Sequence, residues 1–250
     1  MAPKLSINLN AIAMIRNRRN LPWPNIIHIG RIALRAGAFG LTVHPRPDQR
    51  HIRFSDLPDI RQLLDTEFPN AELNVEGYPC EEFMALCRDI KPEQVTLVPD
   101  KPDQLTSDHG WDFIKHQEFL STVVSQLKAL GSNVSLFANA DGEEKPLKAA
   151  KATQTDQIEL YTGPYGGCFN NSKKEAFFLE KLAQTADIAN RLSINVNAGH
   201  DLTVNNIPTL IKRIPYLFEI SVGHAFAADA FEYGTKEAVL RLRHACGHTL

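Results

Sequence analysis

Again and again the chain alternates apolar and polar residues for a few positions, and each alternating run gives way to a stretch of helical spacing. The runs read as strands because successive side chains of a strand point to opposite faces. They lie at Ser6–Asn10, Gly40–His44, Glu72–Glu76, Gln94–Pro99, Asn133–Phe137, Gln157–Thr162, Ser193–Asn197 and Phe218–His224. Between them apolar residues recur three and four apart, as on one face of a helix. Ile26, Ile29, Ile32 and Ala33 predict a helix over 25–36, ended by Gly37. Leu57, Ile60, Leu63 and Leu64 predict another, capped by Ser55 and running to about 68. Further helices are expected at 81–90, about 114–130 (closed by Gly131), 144–152, 174–191, 206–213 (capped by Asn205 or Asn206) and 229–244.

Eight strand-helix units imply parallel strands joined by right-handed crossovers. In 250 residues that count matches a closed (β/α)8 barrel, the TIM barrel, as one α/β domain spanning 1–250. The alternative is an open doubly wound sheet. No strand is followed by a Gly-x-Gly-x-x-Gly turn, which favours the barrel.

The phase of the alternation adds more. One parity of every strand is apolar: Ile7 and Leu9, Leu41 and Val43, Leu73 and Val75, Val95 and Leu97, Val134 and Leu136, Ile158 and Leu160, Ile194 and Val196, Ile220 and Val222. The other is mostly polar, with Asn8, Asn10, Thr42, His44, Asn74, Glu76, Thr96, Ser135, Glu159, Tyr161, Asn195, Asn197, Glu219 and Ser221. Parallel strands covered on both faces usually read as unbroken apolar runs, and barrel interiors are normally filled with aliphatic side chains. The economical reading is an apolar face toward the helices and a polar face lining the barrel. Polar groups so enclosed must bond to one another, to water or to a ligand. A polar substrate site reaching into the barrel is expected. An antiparallel sheet with one wet face gives the same alternation, but the intervening helices argue against it.

Composition changes this picture little. Apolar residues at 43%, charged residues at 22% and a net charge of -2 describe an ordinary globular protein and give no sign of a nucleic-acid or membrane surface. Cys80, Cys87, Cys168 and Cys246 show no metal-binding spacing and read as free thiols of a reducing compartment. The first ten residues contain no apolar signal core, and no apolar run approaches a membrane span, so a cytoplasmic protein is expected.

Candidate chemistry concentrates where such barrels carry it, at the C-terminal ends of the strands. Asn8, Asn10, His44, Arg46, Glu76, Thr106, Glu159, Asn197, His200, Gly223 and His224 all fall there. Two histidines and a glutamate in a confined polar mouth suit proton transfer, since imidazole titrates near neutrality and burial raises a carboxyl toward it. The proline-stiffened stretch after the second strand brings Arg46, Arg50 and His51 together, and arginine pairs phosphate in two parallel hydrogen bonds. The Gly223-His224 turn offers backbone N–H groups to a second phosphate. His44, Glu76, His200 and His224 are also a conceivable set of ligands for a divalent metal. No His-x-His or His-Glu-x-x-His pair is present, and no metal is expected.

The segments NLNAIAMIRNRR (8–19), GLTVHPRPDQRHI (40–52), LNVEG (73–77), VTLVPDK (95–101), VSLFANAD (134–141), IELYTG (158–163), INVNAGHDL (194–202) and EISVGHA (219–225) occur in this order. Together they resemble the pyridoxine 5'-phosphate synthase family through nearly the whole chain. The resemblance implies a TIM barrel with extra helices that assembles as a homo-octamer. It implies an enzyme that condenses 3-amino-2-oxopropyl phosphate with 1-deoxy-D-xylulose 5-phosphate into pyridoxine 5'-phosphate, releasing phosphate and water, with no metal or organic cofactor. By the same resemblance His44 and Glu76 are proton acceptors and His200 a proton donor. Asn8, Arg19, Asp201, Gly223 and His224 would contact the amino-ketone phosphate; Arg46, His51 and Thr106 would contact the deoxyxylulose phosphate.

This chain departs from the family at two points. Asn10-Ala11 stands where the family commonly has Asp-His, which removes a carboxylate and an imidazole while leaving Asn10 able to hydrogen-bond. Asp201 follows His200 where glycine is common, so only its backbone N–H is expected to help hold a phosphate. The polar, proline-bearing loop 100–111 leaves a strand end without periodicity and reads as a lid. Two rival functions fit the residues taken alone: a metal-dependent phosphosugar epimerase or hydrolase on the same barrel, and a phosphosugar-binding protein without turnover.

Overall fold

Eight strands, one from each alternating run, close on themselves. They are β1 (Lys4–Asn8), β2 (Gly40–Val43), β3 (Glu72–Gly77), β4 (Gln94–Leu97), β5 (Asn133–Ala138), β6 (Gln157–Tyr161), β7 (Asn195–Gly199) and β8 (Glu219–Val222). Every neighbouring pair is parallel, and β8 returns to β1 through the register Leu5 to Ile220, giving a closed barrel in sequence order. The structure is a computed structural model that describes residues 2–249 except 20, 102, 103, 105 and 169. Around the barrel run α1 (Asn10–Asn17), α2 (Ile26–Arg35), α3 (Asp56–Glu67), α4 (Glu81–Ile90), α5 (Gln117–Ala129), α6 (Glu144–Ala152), α7 (Gly163–Gly166), α8 (Ser172–Arg191), α9 (Ile207–Arg213), α10 (His224–Tyr233) and α11 (Thr235–Ala245). The barrel with extra helices is therefore as expected. The additional helices arise because the connections after β1, β6 and β8 each hold two.

Local chemistry explains the boundaries. Asn25 caps α2 by accepting the His28 N–H at 2.9 Å, and Gly37 ends the segment at φ +95°, a conformation side chains resist. Ser55 stands before α3 but makes no capping bond, and the third helical residue, Pro58, has no N–H to offer it. The first strand starts and ends two residues earlier than its alternation implies. Asn8 Oδ1 accepts the Asn10 N–H at 2.9 Å, a local turn that starts α1 and places Ile12, Ala13 and Arg16 inward. The single helix expected at 229–244 is two, interrupted by Gly234 at φ +83°.

The two faces of the strands divide as the alternation implies. Leu5, Ile7, Leu41, Val43, Leu73, Val75, Val95, Leu97, Val134, Leu136, Ile158, Leu160, Val196, Ile220 and Val222 are buried in the main apolar core with the inward faces of the helices. Ser6, Thr42, Asn74, Thr96, Ser135, Gln157, Glu159, Asn197, Glu219 and Ser221 are also buried, but on the lumen side. Several of them are tied to one another across the barrel, while Ser135 Oγ, Asn74 Nδ2, Asn197 Oδ1 and Glu219 Oε2 have no partner among the described residues. Ser6 and Thr42 hydroxyls lie 2.7 Å apart, Thr96 donates to Asn74 at 3.1 Å, and Asn197 Nδ2 donates to Gln157 at 2.6 Å and to Gln94 at 3.2 Å. Gln94 in turn donates to Glu219 at 3.2 Å. Burial and then the adjoining Glu72 raise the Glu219 carboxyl well above its usual range, so it stands in this network as a neutral acid. Phe137 breaks the pattern: it shares the lumen parity of Ser135 and pairs in register with Glu159, which puts one aromatic ring among the polar groups.

Asn197→Leu keeps the volume roughly constant and strands the Gln94 and Gln157 acceptors. The expected loss of unfolding free energy is about 1–3 kcal/mol for each stranded partner. Equilibrium urea unfolding of the variant against the parent measures it.

Candidate active site

The strands deliver their last polar residues to one cavity of about 320 Å³ at the C-terminal end of the barrel. Its lining includes Asn8, Asn10, His44, Arg46, His51, Glu76, Thr106, Glu159, His200, Asp201, Gly223 and His224. Of the residues expected from sequence, Arg19, Arg50 and Asn197 stand outside it, Asn197 being bonded to Gln94 and Gln157 within the lumen. Arg19 lies exposed just past the end of α1. Arg50 donates to Asp48 at 2.7 Å and to the Gln104 carbonyl at 3.1 Å.

His44 leaves the end of β2 with its backbone N–H held by Asn10 Oδ1 at 2.9 Å, so α1 fixes where that strand ends. Its Nδ1 lies 3.8 Å from Glu76 Oε2 at the end of β3. Desolvation, then Arg46, His51, His200 and Arg50, push the His44 imidazole well below its usual range. It is therefore neutral at physiological pH, with a lone pair able to take a proton. Glu76 moves the other way. Burial and then Asp100 raise its carboxyl to about 7, against the opposing pull of Arg46, Asn10 and Asn8. Glu159, deeper in the lumen, is raised well above the carboxylate range by burial and by Glu76, and is held as the neutral acid. Two carboxyls in one enclosure are thus driven into different protonation states, an arrangement characteristic of acid-base sites.

His200 follows β7 on a tight turn in which it has φ +85° and Asp201 has φ +55°, both sparsely populated for side-chain-bearing residues. Its ring packs against Phe137, centroids 5.0 Å apart, and meets Tyr161 edge-on at 5.5 Å. Burial lowers its pKa, while Asp201 and Asp100 pull it up. His51 accepts the Ile52 N–H on Nδ1 at 3.0 Å, and burial beside Arg46 and Arg50 lowers it to about 4, leaving a neutral ring.

The basic stretch after β2 is held by its surroundings. Arg16 on α1 pairs with Asp56 through both nitrogens at 2.8 and 2.9 Å and also reaches the His51 carbonyl. Asn17 donates to the carbonyls of Gln49, Arg50 and His51. Arg46 is buried in an ion pair with Asp100 and donates to the Gln104 carbonyl at 3.1 Å. Asp100 also accepts the Ser107 hydroxyl at 2.6 Å. Asp100, Ser107 and Ser221 belong to the site's surroundings and were not singled out from sequence. Only the position of Asp100 just past a strand marked it. Part of the expected lid, residues 102, 103 and 105, lies outside the described residues. At the opposite rim, Gly223 packs against Asn8, and α10 begins at His224 with its free backbone N–H groups at the cavity. Among the described residues, no three His, Cys, Asp or Glu side chains are grouped to hold a metal ion.

The profile of the family described as "Pyridoxal phosphate biosynthesis protein PdxJ" matches residues 5–248. The chain is 64% identical over 247 residues to the pyridoxine 5'-phosphate synthase of Agrobacterium fabrum, covering 99% of this chain and 98% of that one. It is 59% identical over 249 residues to the pyridoxine 5'-phosphate synthase of Rhizobium meliloti, covering all of both. Among solved structures it is similar to the tryptophan synthase alpha subunit of Legionella pneumophila, with a TM-score of 0.66, 14% identity, and coverage of 98% and 93%. It is likewise similar to 3-keto-L-gulonate-6-phosphate decarboxylase of Vibrio cholerae, with a TM-score of 0.65, 10% identity, and coverage of 99% and 98%. At those identities the two structures speak for the barrel fold alone.

The raised Glu76 carboxyl makes a signed prediction. The folded state holds its proton up to about pH 7, whereas the unfolded chain releases it near 4.5. The stabilisation from this proton is complete below the unfolded value and is lost as pH rises through the folded one. Glu76→Gln removes that dependence. Relative to the parent, the variant should gain unfolding free energy between pH 5 and pH 8, read from urea titrations at the two values.

Proposed function

The chain belongs to the PdxJ family of pyridoxal phosphate biosynthesis proteins, and on that premise we propose how its cavity performs the reaction. The activity is the synthesis of pyridoxine 5'-phosphate in vitamin B6 formation: 3-amino-2-oxopropyl phosphate and 1-deoxy-D-xylulose 5-phosphate condense, with loss of phosphate and water. Imine formation, enolisation and dehydration each move a proton at a different atom of one growing ring. The observation that carries the reading is the convergence of His44, Glu76, Glu159 and His200 on a single cavity with their proton affinities driven apart.

In this reading His44, neutral and 3.8 Å from Glu76, accepts a proton from substrate. Glu76, balanced near neutrality, accepts another and passes it on. His200 donates on the opposite side of the ring. A phosphate dianion entering beside it adds negative charge and raises its low pKa, so the donor is charged when substrate is present. Glu159, held neutral, offers a hydrogen bond to oxygen that becomes anionic.

The phosphates have separate berths. Gly223 and His224 at the start of α10, with Asn8 and the Asp201 backbone, would hold the amino-ketone phosphate. Arg46, His51 and Thr106 would hold the deoxyxylulose phosphate, with Asn10 and Arg50 bracing that side. Arg46 reaches it by loosening its pair with Asp100, and that exchange would couple substrate entry to closure of loop 100–111. Arg19 lies outside the cavity and contributes only if the chain near it moves or another copy brings its own. The assembly in this reading is a homo-octamer. Met14, Ile15, Leu21, Trp23 and Phe231, all exposed apolar residues near α1 and α10, supply surface for it. No helix among the described residues is long and apolar enough to cross a membrane, and the four cysteines are unpaired, in keeping with a cytoplasmic location.

Mixing the two phosphates with the protein should produce the pyridine chromophore and free phosphate together. Uptake of both substrates without chromophore would reduce the protein to a binder. His44→Ala and Glu76→Gln should each lower kcat by about 10²–10⁴-fold while changing KM little. Arg46→Ala should instead raise KM for the sugar phosphate, and an unchanged KM would remove Arg46 from that berth.

A further inference from the structure

His200 stands on a turn that its own sequence disfavours, and its ring is not fixed by a side-chain partner. Nδ1 is buried with no hydrogen-bond partner among the described residues, and Gly199 is the backbone group that bears on the imidazole. A catalytic imidazole is ordinarily aimed by the group bonded to its second nitrogen. Here the aim must come from the backbone, and something outside the turn has to hold two successive left-handed residues in place.

Thr162, the first residue after β6, is placed to do so. It is fully buried, and its hydroxyl lies 2.5 Å from both the Gly199 and the His200 carbonyl oxygens. Its one proton serves either carbonyl in turn. Its backbone N–H donates to Gly199 at 3.0 Å. The far side of the turn is held through α7: Asn206 Nδ2 donates to the Asp201 carbonyl at 3.1 Å, and Tyr165 on α7 donates its hydroxyl to the Asn206 carbonyl at 2.8 Å. Gly166 completes the seat, because a methyl there would strike the Asp201 carbonyl.

We propose that Thr162 is a positioning residue for the synthase reaction: by holding the Gly199 and His200 carbonyls it aims the His200 imidazole into the cavity. The inference rests on the reading above, in which His200 acts on substrate. Thr162 touches no substrate itself. Its loss shifts the donor and, with it, the Asp201 N–H of the same peptide unit, but leaves the deoxyxylulose phosphate berth in place.

Steady-state kinetics of the full chain test this. Thr162→Val keeps the shape and removes the donor; kcat should fall about tenfold to a hundredfold, with KM for the deoxyxylulose phosphate within about twofold. Thr162→Ser restores the hydroxyl and should return kcat to within about threefold of the parent. Gly166→Ala presses on Asp201 from the other side of the same turn and should also lower kcat while sparing KM for the deoxyxylulose phosphate, which covers the case that Thr162→Val does not fold. An unchanged kcat in Thr162→Val or in Gly166→Ala, a loss shared equally by KM for the deoxyxylulose phosphate, or a serine variant as poor as the valine one overturns the proposal. His200→Asn separates the two levels. If it turns over normally, the donor role fails and this inference with it. If it is inactive while Thr162→Val is unimpaired, only Thr162 is wrongly assigned.

Discussion

Enclosing ionisable and polar side chains inside a ring of strands is the constraint that shapes this protein. Each such group must find a partner or give up its charge. In the lower lumen the requirement is met largely internally: Asn197 donates to Gln157 and Gln94, Gln94 donates to Glu219, and Glu219 gives up its charge beside Glu72. Higher up, toward the cavity, the same physics leaves groups poised. Burial beside Glu76 keeps Glu159 neutral, and burial beside Asp100 raises Glu76 to about 7. Stability and chemistry are therefore continuous along the barrel axis.

The barrel and most of its site could be read from the sequence because strand parity is a strong signal. Polar residues at alternate positions in eight parallel strands have few places to go, and the ends of those strands name the site. Elements of one or two turns were harder. α1 was hidden because Asn8 turns the chain where alternation still continues through Asn10. α7 was hidden in a glycine- and asparagine-rich stretch that spells a loop, and Gly234 divides a helix whose spacing runs on past it. Interactions between distant segments were out of reach. Nothing in GLTVHPRPDQRHI says that Arg46 is already paired with Asp100, or that Arg50 faces Asp48 and Gln104. Phe137 looked like one more apolar strand residue, yet register puts it under His200.

The departure at Asn10-Ala11 acquires a physical reading. Asn10 Oδ1 anchors the backbone of His44, and its side chain also helps hold the Glu76 carboxylate form. An asparagine can do both at once because it carries an acceptor and a donor on one planar group. A carboxylate in its place would add a third negative centre beside Glu76 and Asp100. This chain instead keeps its acidity close to the level that proton exchange at neutral pH requires.

The closure of β8 onto β1 has one more consequence. A sheet with two ends exposes rows of unsatisfied main-chain groups that invite a strand from another molecule. This ring has no ends. Any contact between copies of the chain therefore falls to its helices and loops and leaves the hydrogen-bonded ladder intact.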